Sequence, residues 1–237
     1  FEKLRDYLPG DGYDEIHWKA TAKRGRPVTK IFQAERTQEI YVVIDLSRLS
    51  ARELGHEGVT QTVLERHLAA AMVLLLAAKR QGDRFGLVAY DDRVRVFVRA
   101  GNGSSHYGAC REAIHALQPG TGTPDMAEIT RHLRARLRRR ALLFFLTDLD
   151  DPVLAEDFVR HGPLLSRQHL VMVNQLRAPG VAPLFAGDEV PDVDAVYTRL
   201  AGHLRWTDSR ALARLLKSRR ITLSLLESET LAAQLVT

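Results

Sequence analysis

Asp45 and Ser47, Thr121 and Thr123, and Asp148 and Asp150 are the residues of this 237-residue chain whose types and spacing could do chemistry. Asp45-Leu46-Ser47 closes an apolar, β-branched run over 40–44. A carboxylate followed two residues later by a hydroxyl offers hard oxygen ligands suited to Mg²⁺ or Mn²⁺. The same pair would also serve as caps for the loop and helix that follow. Asp148, Asp150 and Asp151 follow a second apolar run over 141–147, ALLFFLT. Thr121 and Thr123 stand in 118–125, QPGTGTPD, a tight loop of Gly, Pro and Thr. Two carboxylates set side by side repel one another. A divalent cation removes that penalty, and Mg²⁺ keeps several waters when it takes only one or two carboxylates. An open coordination position would then accept an acidic side chain of a partner protein.

The elements around these residues must bring them together. A continuous apolar run reads as a strand covered on both faces, the usual state of a central parallel strand. Open α/β sheets place their chemistry just beyond the carboxyl ends of such strands, at the point where the strand order reverses. If the runs at 40–44 and 141–147 are neighbours there, their carboxyl ends lie about 5 Å apart. Between and after them the pattern predicts a helix over 62–80, strands over 85–90 and 94–98 joined by Asp91-Asp92, and helices over 107–117 and 126–139. It continues with a helix over 152–165 and a strand over 170–176. An irregular loop over 177–190 leads to a long helix over 192–218, interrupted near Trp206-Thr207-Asp208. A strand over 221–226 and a terminal helix follow. Residues 51–60 read as a polar loop, and 101–105, Gly-Asn-Gly-Ser-Ser, as a turn. Alternating strands and helices predict an α/β fold with a mostly parallel sheet and helices on both faces.

Residues 1–38 form an N-terminal arm expected to pack on the domain over 39–237. A strand at 28–34 is read as an edge strand because Pro27 opens it. The arm is basic through Arg5, Lys19, Lys23, Arg24, Arg26 and Lys30, and a solvated surface is the simplest reading. The helix over 126–139 carries Arg131, Arg134, Arg136 and Arg138–Arg140 opposite an apolar face. No aromatic residues are interleaved for base stacking, so a solvated face is preferred to a nucleic-acid surface.

Composition excludes several classes. Hydrophobic residues make up 45% and charged residues 27%, an ordinary globular mix with formal charge +5. The single cysteine, Cys110, rules out an intrachain disulfide or a cysteine metal cluster and fits a reducing compartment. The apolar run over 68–78 is too short to span a bilayer. The chain opens on Phe1 without Met or signal peptide, so it is expected to be an excised piece, with a membrane anchor upstream, outside this sequence. The histidines have no zinc-type spacing, and Gly-x-Ser-x-Gly and Gly-x-Gly-x-x-Gly are absent. One enzymatic alternative rests on Asp148-Leu149-Asp150, a D-x-D after an apolar strand, as nucleophile and acid/base of a Mg²⁺-dependent phosphoryl transfer. Position 152 is Pro where that motif usually has Thr or Val, and the motif sits late in the chain. A basic nucleic-acid-binding domain is the other alternative.

The D-x-S pattern, then Thr, then Asp, on this alternation of strands and helices, resembles the von Willebrand factor A domain and its metal-ion-dependent adhesion site. The arm narrows the likeness. Arg5-Asp6-Tyr7-Leu8-Pro9-Gly10-Asp11, Ile16, Trp18-Lys19-Ala20-Thr21-Ala22, Gly25 and Glu35 resemble the arm signature of the bacterial domain-of-unknown-function family fifty-eight. The resemblance implies a von Willebrand factor A-like sheet and a cytoplasmic, non-enzymatic interaction domain of a membrane-anchored protein. It also implies a MoxR-type AAA+ ATPase as partner, with an adaptor or chaperone-like role. Carried over residue by residue, it makes Asp45, Ser47, Thr123 and Asp148 the metal ligands. The third position of D-x-S-x-S is Leu49 rather than Ser, and Ser50 is one residue out of register. One hydroxyl ligand is therefore missing, and metal binding is expected to be weakened or lost unless water or Ser50 replaces it. Lys23, Asp14 and His17 also depart from the arm signature.

Overall fold

A computed structural model describes residues 3–7, 16–31, 39–56, 59–176, 180–184, 186 and 192–226. Contacts divide the chain into two units, Phe1–Thr37 and Gln38–Thr237. In the first unit β1 (Lys3–Asp6) pairs antiparallel with β2 (Val28–Ile31), and α1 (Trp18–Arg24) lies between them in sequence. The strand expected at 28–34 thus belongs to a two-stranded sheet of its own, with a partner strand that the sequence pattern did not reveal. Gly25 closes α1 in the left-handed conformation, with its N–H on the Thr21 carbonyl.

The second unit is built on six strands: β3 (Glu39–Asp45), β6 (Arg84–Tyr90), β7 (Val94–Gly101), β8 (Ala141–Leu146), β9 (Leu170–Leu176) and β10 (Ile221–Leu226). Their spatial order is β10-β9-β8-β3-β6-β7. Counted within this sheet the order is 6-5-4-1-2-3, that of doubly wound folds, with the third strand reversed. Every pair is parallel except β6 with β7, so the antiparallel member sits at one edge. This is the von Willebrand factor A-like α/β fold that the resemblance implies. The point where the order reverses lies between β3 and β8.

Alternate residues of β3 feed two cores. Ile40, Val42 and Ile44 pack with α2 (Val63–Gln81) and α3 (Gly103–His115) on one face. Tyr41 and Val43 pack with α4 (Met126–Arg136), α5 (Pro152–Ser166) and α6 (Val193–Ser218) on the other. Burial on both faces is why β3 and β8 carry no polar alternation. Cys110 of α3 is fully buried in the first core, and burial pushes its thiol up to about 11. Among the described residues no helix is long and apolar enough to cross a membrane.

Several expectations need correction. Residues 51–60 are not a plain loop. A 3-10 turn (Arg48–Ala51) leads into a hairpin of β4 (Glu53–His56) and β5 (Val59–Thr62). Val59, Thr60 and Thr62 favour strands, and that signal was masked by two flanking glycines. The glycine-rich stretch at 101–105 is not a separate turn, because α3 already begins at Gly103. Helix α4 stops at Arg136 rather than running to 139. Helix α6 runs unbroken through Trp206-Thr207-Asp208, with the Thr207 hydroxyl satisfied on the His203 carbonyl one turn back. The expected terminal helix lies outside the described residues.

Helix α2 starts with a reciprocal capping box between Thr62 and Glu65 and ends on Gly82. Its His67 is buried with neither ring nitrogen hydrogen-bonded, and burial holds its pKa down at about 3. The unfolded chain takes up the proton near the ordinary value of about 6.5, so stability falls as pH drops from there toward 3. Replacement by Leu should remove this slope. In urea unfolding at pH 6.5 and pH 5, wild type should lose about 2 kcal/mol more than His67→Leu. Equal losses would show that His67 is not the group responsible.

Candidate metal centre

The register of β3 against β8 places the carboxylates. Ile44 faces Leu146, so Asp45 comes level with Thr147, and Asp148 lies one residue beyond. Thr147 Oγ1 donates to Asp45 Oδ2 at 2.7 Å, and the Ser47 amide donates to Asp45 Oδ1 at 2.7 Å. Asp45, Ser47 and Asp148 are all buried, at 3%, 0% and 6% exposure, which sets them inside the end of the sheet rather than on it. Burial pushes the Asp45 carboxyl up, against the hydrogen bonds from Thr147 and Ser47, and the charge of Asp148 adds to the rise. Asp148 is also raised by burial and by Asp150, against the pull of Arg52. Asp45 therefore feels the charge of Asp148, as the side-by-side placement requires.

The loop at 118–125 is tied to the exit of β3 by its backbone. Gly120 N–H donates to the Leu46 carbonyl at 2.6 Å, and Arg48 N–H donates to the Gly122 carbonyl at 3.1 Å. A Cβ on Gly120 would lie 2.7 Å from Asp91 Oδ2, so only glycine allows this approach. Thr123 follows on that tethered loop. Its side chain is exposed, unlike those of the other three expected ligands, and so is that of Thr121. Ser50 is buried in the 3-10 turn instead of projecting as a third-position hydroxyl, and Leu49 is half-buried beside it.

The donor set suits a hard cation. Ser47 Oγ is buried and makes no hydrogen bond of normal geometry, although it lies close enough to Asp45 to favour its charged form. Ser50 Oγ is also buried without a partner. An orphaned buried hydroxyl next to a carboxylate, as Ser47 is next to Asp45, is an atom that an oxygen-seeking ion would satisfy. Among the described residues no three of His, Cys, Asp and Glu gather around one point, so any such ion would rest on two carboxylates and hydroxyls.

Sequence reasoning missed the residues that hold these carboxylates. Arg52, from the end of the 3-10 turn, donates to Asp148 Oδ2. Asp150, whose amide donates to Asp148 Oδ1 at 3.0 Å, is held by Gln175 of β9 and Arg205 of α6. Neither carboxylate of the D-x-D pair stands clear to attack phosphorus. At the end of β6, Asp91 is buried and receives Arg95 Nε on both oxygens at 2.7 Å. Burial alone would raise Asp91, but Arg95, then the Asp92 side chain and the Arg93 amide, outweigh it and hold the carboxyl at about 2. Asp91 had a readable signal, since it follows an apolar strand as Asp45 does. Arg52, Gln175 and Arg205 had none, because the pairs span 96, 25 and 55 residues. On α4, Arg131 is paired with Glu128, and Arg136 lies over the Phe97 ring.

A family model described as protein of unknown function DUF58 matches residues 3–188. The chain belongs to this family. Uncharacterised proteins of Mycobacterium bovis and Mycobacterium tuberculosis are 25% identical to it over 194 residues, covering 81% of this chain. The chain spans 57% of the length of these relatives. Among solved structures, the PilB minor pilin from Streptococcus sanguinis superposes with a TM-score of 0.52 at 12% identity, over 88% of this chain and 62% of the pilin. Protein BatB from Bacteroides thetaiotaomicron (TM-score 0.49, 13% identity, 84% and 95% covered) and the SpRpn10 VWA domain (0.45, 12%, 84% and 94%) also match. The pilin likeness speaks to the fold of this DUF58 member.

The Asp91–Arg95 pair gives a pH test of the family member's sheet end. A carboxyl held at about 2 stabilises the fold above about pH 4 and loses that contribution as pH falls toward 2. Arg95→Met should lower the melting temperature at pH 7, and the gap to wild type should shrink steadily as pH falls below about 4. A gap independent of pH would mean that Arg95 acts by packing rather than by its charge.

Proposed function

We propose that this domain is a non-enzymatic protein–protein interaction module with a weak divalent-cation site at the carboxyl end of its sheet. The observation that carries this reading is the outer face of α6. Nine large apolar residues are exposed among the described residues, and six of them lie on this one helix. Val193, Tyr197, Leu200, Leu204 and Leu215 fall on one stripe, with Ala211 between the last two. Val193, Tyr197, Leu200 and Leu204 are spaced by four, three and four residues, as in a coiled-coil seam. Thr207 takes the next seam position, Leu215 falls one residue past the last, and the stripe runs about 33 Å along the helix. The opposite face carries Gly202 and Leu216, which are buried. A helix apolar on both faces has one face left for a partner. Exposed Arg210, Arg214 and Lys217 lie beside the C-terminal end of the stripe, whereas Asp194 and Asp208 lie beside the rest, so the charge favours an acidic partner segment at that end alone.

The same helix reaches the candidate metal centre through Arg205 on Asp150. The seam and the carboxyl end of the sheet are thus mechanically joined. Asp45, Ser47, Thr123 and Asp148 would hold Mg²⁺ or Mn²⁺ there, and a bound ion would offer an open position to an acidic side chain of the partner. The family resemblance makes a MoxR-type AAA+ ATPase the expected partner, with this domain on the cytoplasmic side of a membrane-anchored protein. No observation favours the phosphoryl-transfer or nucleic-acid alternatives.

The test is a binding measurement between the domain and the MoxR-type ATPase of the same organism, by biolayer interferometry. Tyr197→Asp with Leu204→Asp should weaken binding at least tenfold with an unchanged melting temperature, since both side chains are already exposed. Binding unaffected by this double variant and by Asp45→Ala would sink the proposal.

A further inference from the structure

We infer that Arg52 is a tethered competitor for the divalent cation, occupying the Asp148 oxygen that a metal ion would need. This rests on the cation-site reading given above. Asp148 has two oxygens. Oδ1 accepts the Asp150 amide at 3.0 Å, and Oδ2 accepts Arg52 Nη2. An ion held by Asp45 and Asp148 would therefore have to displace Arg52 or share the carboxylate with it. One guanidinium supplies a single positive charge to a pair of buried carboxylates, so the pair remains undercompensated while Ser47 Oγ makes no hydrogen bond of normal geometry. A divalent ion would correct both faults together.

The geometry allows the exchange. Asp148 is enclosed at 7% side-chain exposure, whereas the Arg52 side chain is 39% exposed. The carboxylate cannot leave, but the guanidinium can swing into water. The Arg52 backbone stays anchored meanwhile, with its N–H on the Leu49 carbonyl and its own carbonyl accepting from the Val63 amide. The turn that carries Leu49 in place of the third hydroxyl is thus the turn that carries the competing charge. Metal affinity is set by the missing hydroxyl and by Arg52 together. When a binding-competent state is only a fraction of the population, apparent affinity falls by that fraction. A charge-assisted pair at this depth should reduce affinity about ten- to a hundredfold.

The experiment is calorimetric titration of the 237-residue chain with Mn²⁺ and Mg²⁺. Arg52→Met, which keeps the apolar stem, is compared with wild type and with Asp148→Asn. Arg52→Met should bind at least tenfold tighter than wild type, and Asp148→Asn should not bind. Equal affinity in wild type and Arg52→Met, lost in Asp148→Asn, overturns the competitor and leaves the cation site standing. Absence of binding in every variant at millimolar metal overturns the site and the competitor with it. A second measurement needs no variant. In wild type, saturating Mg²⁺ should move the Arg52 guanidinium NMR signal to its solvent-exposed position. A signal unmoved while metal binds overturns the inference.

Discussion

The parallel pairing of β3 with β8 is the constraint on which the carboxyl end of the sheet depends. It runs in register from Glu39 opposite Ala141 to Ile44 opposite Leu146. Because side chains alternate across a strand, a slip of one residue would exchange the two cores and turn Asp45 away from Thr147. The apolar residues of both strands fix that register by burial on two faces. Placement of the acidic groups is therefore a by-product of hydrophobic packing along the strands that lead up to them.

Such packing leaves acidic groups where water is scarce, and the domain answers with local partners. Asp91 has Arg95, Asp148 has Arg52, Asp150 has Arg205, and Asp45 has only neutral donors. Burying a charge without a partner is costly, and this pattern lowers the cost at each strand end separately. Of these four, Asp45 is the one not paired with an arginine. It is also the residue beside which Ser47 Oγ lies without a hydrogen bond of normal geometry. The least compensated point of the sheet end coincides with the first residue of the adhesion-type pattern.

Much of this was legible in the chain, and the reasons are physical. Strands buried on both faces announce themselves as unbroken apolar runs, so β3 and β8 could be read, and with them the positions of Asp45 and Asp148. Helix α2 was legible through its spacing. The β4–β5 hairpin was not, because short strands between glycines carry little periodic signal. The continuity of α6 was obscured by Trp206-Thr207-Asp208, a run that propensity alone would break but that tertiary context keeps helical. The exposed stripe on the same helix was hidden because apolar spacing does not say which of two apolar faces is buried. The arginines were illegible for a different reason: arginine is frequent in this chain, and only the folded path shows which of them meets a carboxylate.

Cys110 has a practical consequence. It is the chain's only cysteine, fully buried in the first core and held as a thiol at neutral pH. Thiolate, not thiol, is the reactive form, so this folded chain presents a nearly silent background to alkylating reagents. A cysteine placed on the surface, along α6 or on the loop that carries Thr123, would react alone. Fluorophores and spin labels could thus be attached at one chosen point without first removing a residue from the core.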